Sequence, residues 1–438
     1  MKSSLAMDQT YLIHKIVHFV FLIVVCLIGL TISNKVQADT FSRIKSSTFG
    51  DRIFRVEVLK NNQYGFVSVT ENNKAKIIVL VRKNNKWEEY YSLFLKASAA
   101  FGIALTPDES MLAVTLDNKI AVINVKALLK KQNSGTYVNV ATSAADDTGA
   151  MSVVAATDNQ HFFIANEYSR TKGVSGIGNV TIVSAKIQNS GAVQAQRLGY
   201  IKTGQSAIPS ISLSPNGKTL YIMNQIASQK VRNTFSGRNP DIYKKCSKKT
   251  FNGAMSVVDT NMALTLAHQN IGNGNRQIKG RGLILANIST GCGSVRSGSS
   301  PDGKTLWVAN RGLNNVKENK ILVYDAVSLR NNPNNAYLYS FSSNGQAPIG
   351  ISTFGPNGRY LAVSNSNRFN VKKKNGGLIK PNISIFDVSN RNKAKQIKTI
   401  TLEKNSFPRD ISTNSNTPNF VYIVSYSKGF FNQIKVGN

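Results

Sequence analysis

The sequence predicts an all-β fold, a seven-bladed β-propeller of four-stranded antiparallel blades, and three observations carry that prediction. One turn-and-strand unit recurs seven times between residues 59 and 426, and such self-similarity is the mark of a repeat architecture. Each copy consists of short apolar or β-branched runs bounded by turn residues, and no unit carries a helix pattern. The spacing of roughly 45 to 60 residues suits four strands per copy, arranged radially so that only short protected edges remain.

In chain order, FSRIKSS (41–47) is a spare strand, expected to complete the last blade and latch the ring shut. The seven copies are LKNNQYGFVSVTEN (59–72), LTPDESMLAVTLDN (105–118), AATDNQHFFIANEY (155–168), SLSPNGKTLYIMNQ (212–225), SSPDGKTLWVANRG (299–312), TFGPNGRYLAVSNS (353–366) and TNSNTPNFVYIVSY (413–426). A short apolar lead-in enters a turn near Asn62, Pro107, Asp158, Pro215, Pro301, Pro356 or Asn416. In the clearest turns Pro presets φ and Gly accepts a positive φ. A nearly continuous apolar run follows, such as Leu306-Trp307-Val308-Ala309, too short for a buried helix and therefore a buried second strand. Third strands show β-branched alternation: KIAVINV (119–125), NVTIVSAKI (179–187), GAMSVVDT (253–260), KILVYDA (320–326) and NISIFDV (382–388). Weaker fourth strands include AYLYSFSS and AKQIKTITL, and in the fourth unit the fourth strand is placed at His268. The last unit stops at its third strand, residues 431–436.

Second strands ending in Asn310, Asn224, Asn365 and Asn166, preceded by SPDGKTL or SPNGKTL and followed by a V-x-D third strand, resemble the YVTN-repeat propellers. That group shades into the lactonase-like seven-bladed propellers. The resemblance spans most of residues 50–436 and is strongest around Pro215, Pro301 and Pro356. It implies the fold; the lactonase-like branch would imply a small sugar-type substrate, yet no catalytic set of that family maps onto matching positions here. The Gly-His and Trp-Asp marks of WD-type propellers are absent.

Residues 1–38 read as a signal peptide, with Lys2 and Lys15 early, an apolar run from Ile16 to Ile32, and cleavage after Val36-Gln37-Ala38. The alternative is an uncleaved anchor, because 17 apolar residues are at the lower limit for spanning a bilayer. Residues 39–438 are then one exported propeller domain, periplasmic or secreted, expected to be a monomer. Cys246 and Cys292 are expected to pair in an oxidising compartment, the alternative being two free thiols.

The chain has 54 Lys and Arg against 22 Asp and Glu, a net charge of +32. Such a field favours an anionic partner such as nucleic acid, lipopolysaccharide or acidic glycan, or a protein partner, and leaves few carboxylates for acid–base work. Propeller geometry puts the loops between second and third strands on one face, and those loops together carry +16. Two long insertions dominate. Residues 225–252 bring Lys230, Arg232, Arg238, Lys244, Lys245, Lys248 and Lys249, interleaved with Phe235, Tyr243 and Phe251; residues 367–380 bring Arg368, Lys372, Lys373 and Lys374 beside Phe369. Basic side chains next to aromatics suit phosphate contact with stacking. Arg311 ends a strand at this face, and the connection carrying Arg276, Lys279, Arg281 and Cys292 is expected there too.

Other chemistry is poorly supplied. Gly298, Gly303, Lys304 and Thr305 match the phosphate-loop pattern, but Lys304 runs straight into a strand instead of a helix. After signal removal only His161 and His268 remain, too few for a histidine-rich metal site, and Asp146-Asp147 offers too few ligands for calcium. Asp259, Asp325 and Asp387 recur at equivalent third-strand positions, which assigns them to turns or inter-blade hydrogen bonds. No G-x-S-x-G elbow is present, so neither catalytic residue nor cofactor is expected. The expected function is a non-catalytic binding or scaffold module; the alternative is a lactonase-like or dehydrogenase-associated propeller enzyme.

Overall fold

The computed structural model describes residues 40–49, 52–132, 136–142, 147–169, 177–228, 252–269, 272–313, 316–368, 370, 378–404, 406–414 and 418–437. Their strands form seven four-stranded sheets, all antiparallel in the pairings described. Blades 1 to 6 open with inner strands Arg52–Val58, Ala100–Leu105, Asp147–Ala155, Ser210–Leu213, Ser294–Ser299 and Pro348–Phe354, and each runs outward through its next three strands in order. The seventh sheet has the order Thr40–Thr48, Phe430–Gly437, Phe420–Ser425, Pro408–Thr413. Next to it, the Phe49 N–H donates to the Gly429 carbonyl at 3.0 Å.

The apolar runs become the middle layers. All six residues of Met111–Leu116, Thr219–Asn224 and Tyr360–Asn365 are buried. Their side chains fill the wedges between neighbouring blades: Phe66 and Ile77 of blade 1 with Ile103 and Leu112 of blade 2, Phe163 and Ile182 of blade 3 with Leu220 and Ile222 of blade 4. At about 1.5–3 kcal/mol for each fully buried large side chain, these wedges hold the blades together.

The repeated polar residues also join blades. Asn166 Nδ2 donates to the Thr142 carbonyl, Asn310 Nδ2 to that of Thr290, and Asn365 Nδ2 to that of Ser343, so each strand-ending asparagine ties its blade to the one before. The third-strand carboxylates work at the other end. Asp259 and Asp325 accept from the N–H groups of Met262 and Ser328, and each also pairs with an arginine of the next blade, Arg330 and Arg391 respectively.

Here the structure corrects the expectation of no helices. Asn124, Asp259 and Asp325 cap three short helices, Val125–Leu129, Thr260–His268 and Ala326–Asn331. His268, expected in a fourth strand, instead ends the second of these helices: the Ala- and Leu-rich composition of TNMALTLAH favours helix, and Thr260, Ala263 and Ala267 bury one helical face. The fourth strand of blade 4 is therefore Ile284–Cys292.

Gly298 to Thr305 form a strand, a turn and a strand. The Lys304 N–H donates to Asp302 Oδ1 at 3.0 Å, the Thr305 N–H to Ser300 Oγ at 2.9 Å, and Gly303 takes φ +70°. Lys304 is thus a hairpin residue. Among the described residues no helix is long and apolar enough to cross a membrane; residues 1–38 lie outside them.

Candidate functional site at the channel mouth

The inner strands surround the propeller axis, and in six of the seven blades the pairing of inner and second strands slips in register near the start. Such a bulge bends the strand and re-aims the next side chain. The residues at or just past the slip include Arg55, Ser152, Arg296 and Asp410.

These residues meet. Asp410, 3% exposed, accepts from Arg296 Nη1 and lies 3.7 Å from Arg55 Nε, while Arg55 Nη2 donates to Ser152 Oγ at 3.3 Å. One carboxylate therefore ties together arginines of blades 1 and 5. Burial and the neighbouring Arg55 charge lower the Arg296 guanidinium to about 9 despite Asp410. Glu57, further along the blade 1 inner strand, has its carboxyl pushed up to about 8 by burial and the Asp410 charge, against the pull of Arg55. Glu57 thus keeps its proton at neutral pH.

A second group lies nearer the face that carries the second-to-third-strand loops. Arg409 follows Pro408 at the start of the blade 7 inner strand, and its guanidinium sits 4.4 Å from the Phe54 ring centre and 5.8 Å from that of Tyr426. Phe101 and Tyr426 pack edge-on to Phe54, each at 4.8 Å. Arg311 is placed by a tight link: Gly293 alone separates blades 4 and 5, its carbonyl accepts the Arg311 N–H at 3.1 Å, and a Cβ there would come within 2.4 Å of the Gly312 carbonyl oxygen. Arg311 Nη2 donates to Gln225 Oε1 at 3.1 Å, while its Nε is buried without a partner.

Arg368 and Glu167 complete the group electrostatically. Burial, with the charges of Arg368 and Arg409, lowers Arg311 to about 9, only partly offset by Glu167. Burial lowers Arg409 to about 10, opposed by Glu167. The Glu167 carboxyl is raised by burial even with Arg409, Arg311 and Arg368 close enough to pull it down. Arg311, Arg368 and Arg409 are thus each coupled electrostatically to the Glu167 carboxyl, and Arg409 rests on the Phe54 and Tyr426 rings.

Of the predicted binding residues, the structure brings Arg311 and Arg368 together in this mouth. Arg276, Lys279 and Arg281 do not join them. They belong to the connection between the third and fourth strands of blade 4, hence to the opposite face, where the Arg276 carbonyl accepts from the Tyr200 N–H at 3.2 Å. The misplaced fourth strand caused that error. Lys230, Arg232, Arg238, Lys244, Lys245, Lys248, Lys249, Lys372, Lys373 and Lys374 lie outside the described residues, as do Phe235, Tyr243, Phe251, Phe369, Asp146 and Cys246. Cys292 is disulfide-bonded at the end of the blade 4 outer strand. The sequence reading missed Arg55, Glu57, Glu167, Arg296, Arg409 and Asp410. A signal existed, because charged residues such as Arg55, Arg296 and Asp410 interrupt lead-in strands that are otherwise apolar or small.

The chain's two described histidines also meet, on the opposite face. His161 Nδ1 is 2.6 Å from Asp158 Oδ2, and the His161 and His268 rings stand edge to face at 4.9 Å. Burial would raise the Asp158 carboxyl, but bonds from the His161 ring and from the Gln160 and His161 N–H groups hold it at about 2. Among the described residues no group of three metal-ligating side chains occurs.

Against known proteins, no family model and no curated protein matches the chain by sequence. Solved structures do match. Hydrazine synthase from Kuenenia stuttgartiensis superposes with a TM-score of 0.58 at 12% identity, covering 90% of this chain and 98% of that one. The Cps50 (Swd1) β-propeller domain of Myceliophteria thermophila gives 0.56 at 9% identity, covering 91% and 100%. The likeness is one of fold. At such identities a propeller is shared and nothing of its chemistry follows.

Proposed function

We propose that this chain is an exported, non-catalytic propeller of the YVTN-like kind whose loop face and channel mouth bind an anionic macromolecule. The observation that carries the reading is the electrostatic coupling of Arg311, Arg368 and Arg409 to a single carboxyl, Glu167, with Arg409 seated on the Phe54 and Tyr426 rings and Arg311 Nε buried without a partner. The two long basic insertions, outside the described residues, are expected on the same face from the order of the strands. Three cations against one nearby carboxyl favour an outside anion, and the surrounding field would steer it there. Fluorescence anisotropy with a single-stranded DNA and an acidic glycan tests this at about 50 and 200 mM salt; engaging several anionic groups should cost on the order of a thousandfold in affinity between the two. Absence of binding to both polymers at the lower salt would overturn it.

One observation favours the enzymatic alternative. Burial, with Asp410 nearby, keeps a proton on Glu57 near neutrality, the state a general acid needs. Under that reading Glu57→Gln abolishes turnover of a small sugar lactone; under the binding reading there is no turnover to lose.

A further inference from the structure

The mouth has more specific chemistry than a basic surface. Arg311, Arg368 and Arg409 bring three positive charges and Glu167 one negative, while the Asp410 charge deeper in the channel is already engaged by Arg55 and Arg296. The donors are also poised. Arg311 uses Nη2 on Gln225 and keeps Nε buried and unpartnered, and Arg409 rests against the rings of Phe54 and Tyr426. Ring packing fixes the guanidinium plane while leaving its N–H edge available, and a planar fork of donors suits an oxyanion with several equivalent oxygens better than a single carboxylate. Arg368 is exposed and is coupled electrostatically to Arg311, Arg409 and Glu167.

We infer that the channel mouth is a built receptor for a compact doubly charged tetrahedral oxyanion, the group that a phosphate monoester or free inorganic sulfate presents, held by Arg311, Arg368 and Arg409. The inference rests on the anion-binding reading of this face and names the group that enters it. Such a group balances the net charge of the mouth, whereas a monoanion leaves one arginine uncompensated. Glu167 sets selectivity by repelling the ligand and by orienting the arginines when no ligand is present. The two sources differ in protonation, because sulfate remains doubly charged across the useful pH range while a phosphate monoester gains a proton near pH 6.

Isothermal titration of the full chain with inorganic sulfate, inorganic phosphate and acetate, at about pH 8 and low chloride, tests the inference. Sulfate and phosphate should bind at one site, with acetate at least about tenfold weaker. Arg311→Gln should weaken sulfate and phosphate about tenfold or more, the loss of one charge-assisted contact. Glu167→Gln should tighten them about threefold or more by removing a repelling charge, an outcome that a merely damaged fold cannot produce. Sulfate binding that persists at about pH 5.5 while phosphate weakens marks the doubly charged form as the ligand. Equal affinity for acetate, or unchanged sulfate affinity in both variants, would overturn the inference. Lys372→Ser, Lys373→Ser and Lys374→Ser combined should leave sulfate affinity unchanged while weakening polymer binding. If polymers bind with steep salt dependence and sulfate and phosphate do not bind at all, the receptor falls and the broader reading stands.

Discussion

Replacing Glu57 with Gln should stabilise the protein at neutral pH and leave it unchanged in acid. The Glu57 carboxyl is buried within reach of the Asp410 and Arg55 charges, and its pKa rises from 4.5 to about 8 on folding. Between these values the folded chain keeps a proton that the unfolded chain has released, so stability falls as pH rises through the window and levels off above about 8. A tenfold change in proton affinity corresponds to about 1.4 kcal/mol, which makes the full span about 5 kcal/mol and the part accumulated by pH 7 about 3. Water in the channel and local relaxation reduce this, and about 2 kcal/mol is expected at neutrality. Gln keeps the shape and never ionises. Urea unfolding of wild type and Glu57→Gln at about pH 4, 7 and 8.5 provides the comparison, and titrations common to both proteins cancel in the difference. The variant should match wild type in acid and exceed it by about 2 kcal/mol at pH 7. A variant destabilised by the same amount at every pH, or a difference that shrinks as pH rises, would refute the placement of Glu57.

Three further outcomes follow from the fold. Removing Thr40–Thr48 should lower the thermal midpoint and promote association, because the Phe430–Gly437 strand would lose its outer neighbour; an unchanged midpoint in calorimetry would contradict a latch role. Asn365→Ala should cost about 1–3 kcal/mol by unfolding titration, since it takes the donor from the Ser343 carbonyl and leaves Asn382 and Ser384 only the bond between them, yet leave anion affinity unaltered. Non-reducing peptide mapping should join Cys292 to Cys246, and reduction should cost about 2–4 kcal/mol; a free Cys246 thiol would contradict the pairing.

What the sequence made legible was whatever is local and repeated. Pro301-Asp302-Gly303, the run Leu306 to Ala309 and the closing Asn310 recur because each blade solves the same turn, burial and inter-blade bonding problem, so comparing copies exposes the ring. The recurring aspartates Asp259 and Asp325 were assigned to structure on the same logic, and they cap helices and bind the next blade's arginines. The helices themselves were hidden because segments of only five to nine residues fit a short strand as well as a short helix, until the Asp or Asn cap is weighed. The channel site was hidden for the opposite reason. Arg55, Arg296 and Asp410 each occur once, in blades far apart in sequence, and only ring closure brings them within reach of one another. Arg311 and Arg368 were found through loop charge, whereas Arg409 and Glu167 stand inside strands where a charge looks like noise.

The claim that the loop face and its arginine-lined mouth take the anion is tested most directly by hydrogen exchange of the free and polymer-bound chain. Protection should appear around residues 309–313, 366–368 and 408–410, and spare the hairpins carrying Lys60, Lys218 and Lys304 on the opposite face. Protection centred on those hairpins, with the mouth exchanging as in the free protein, would contradict it.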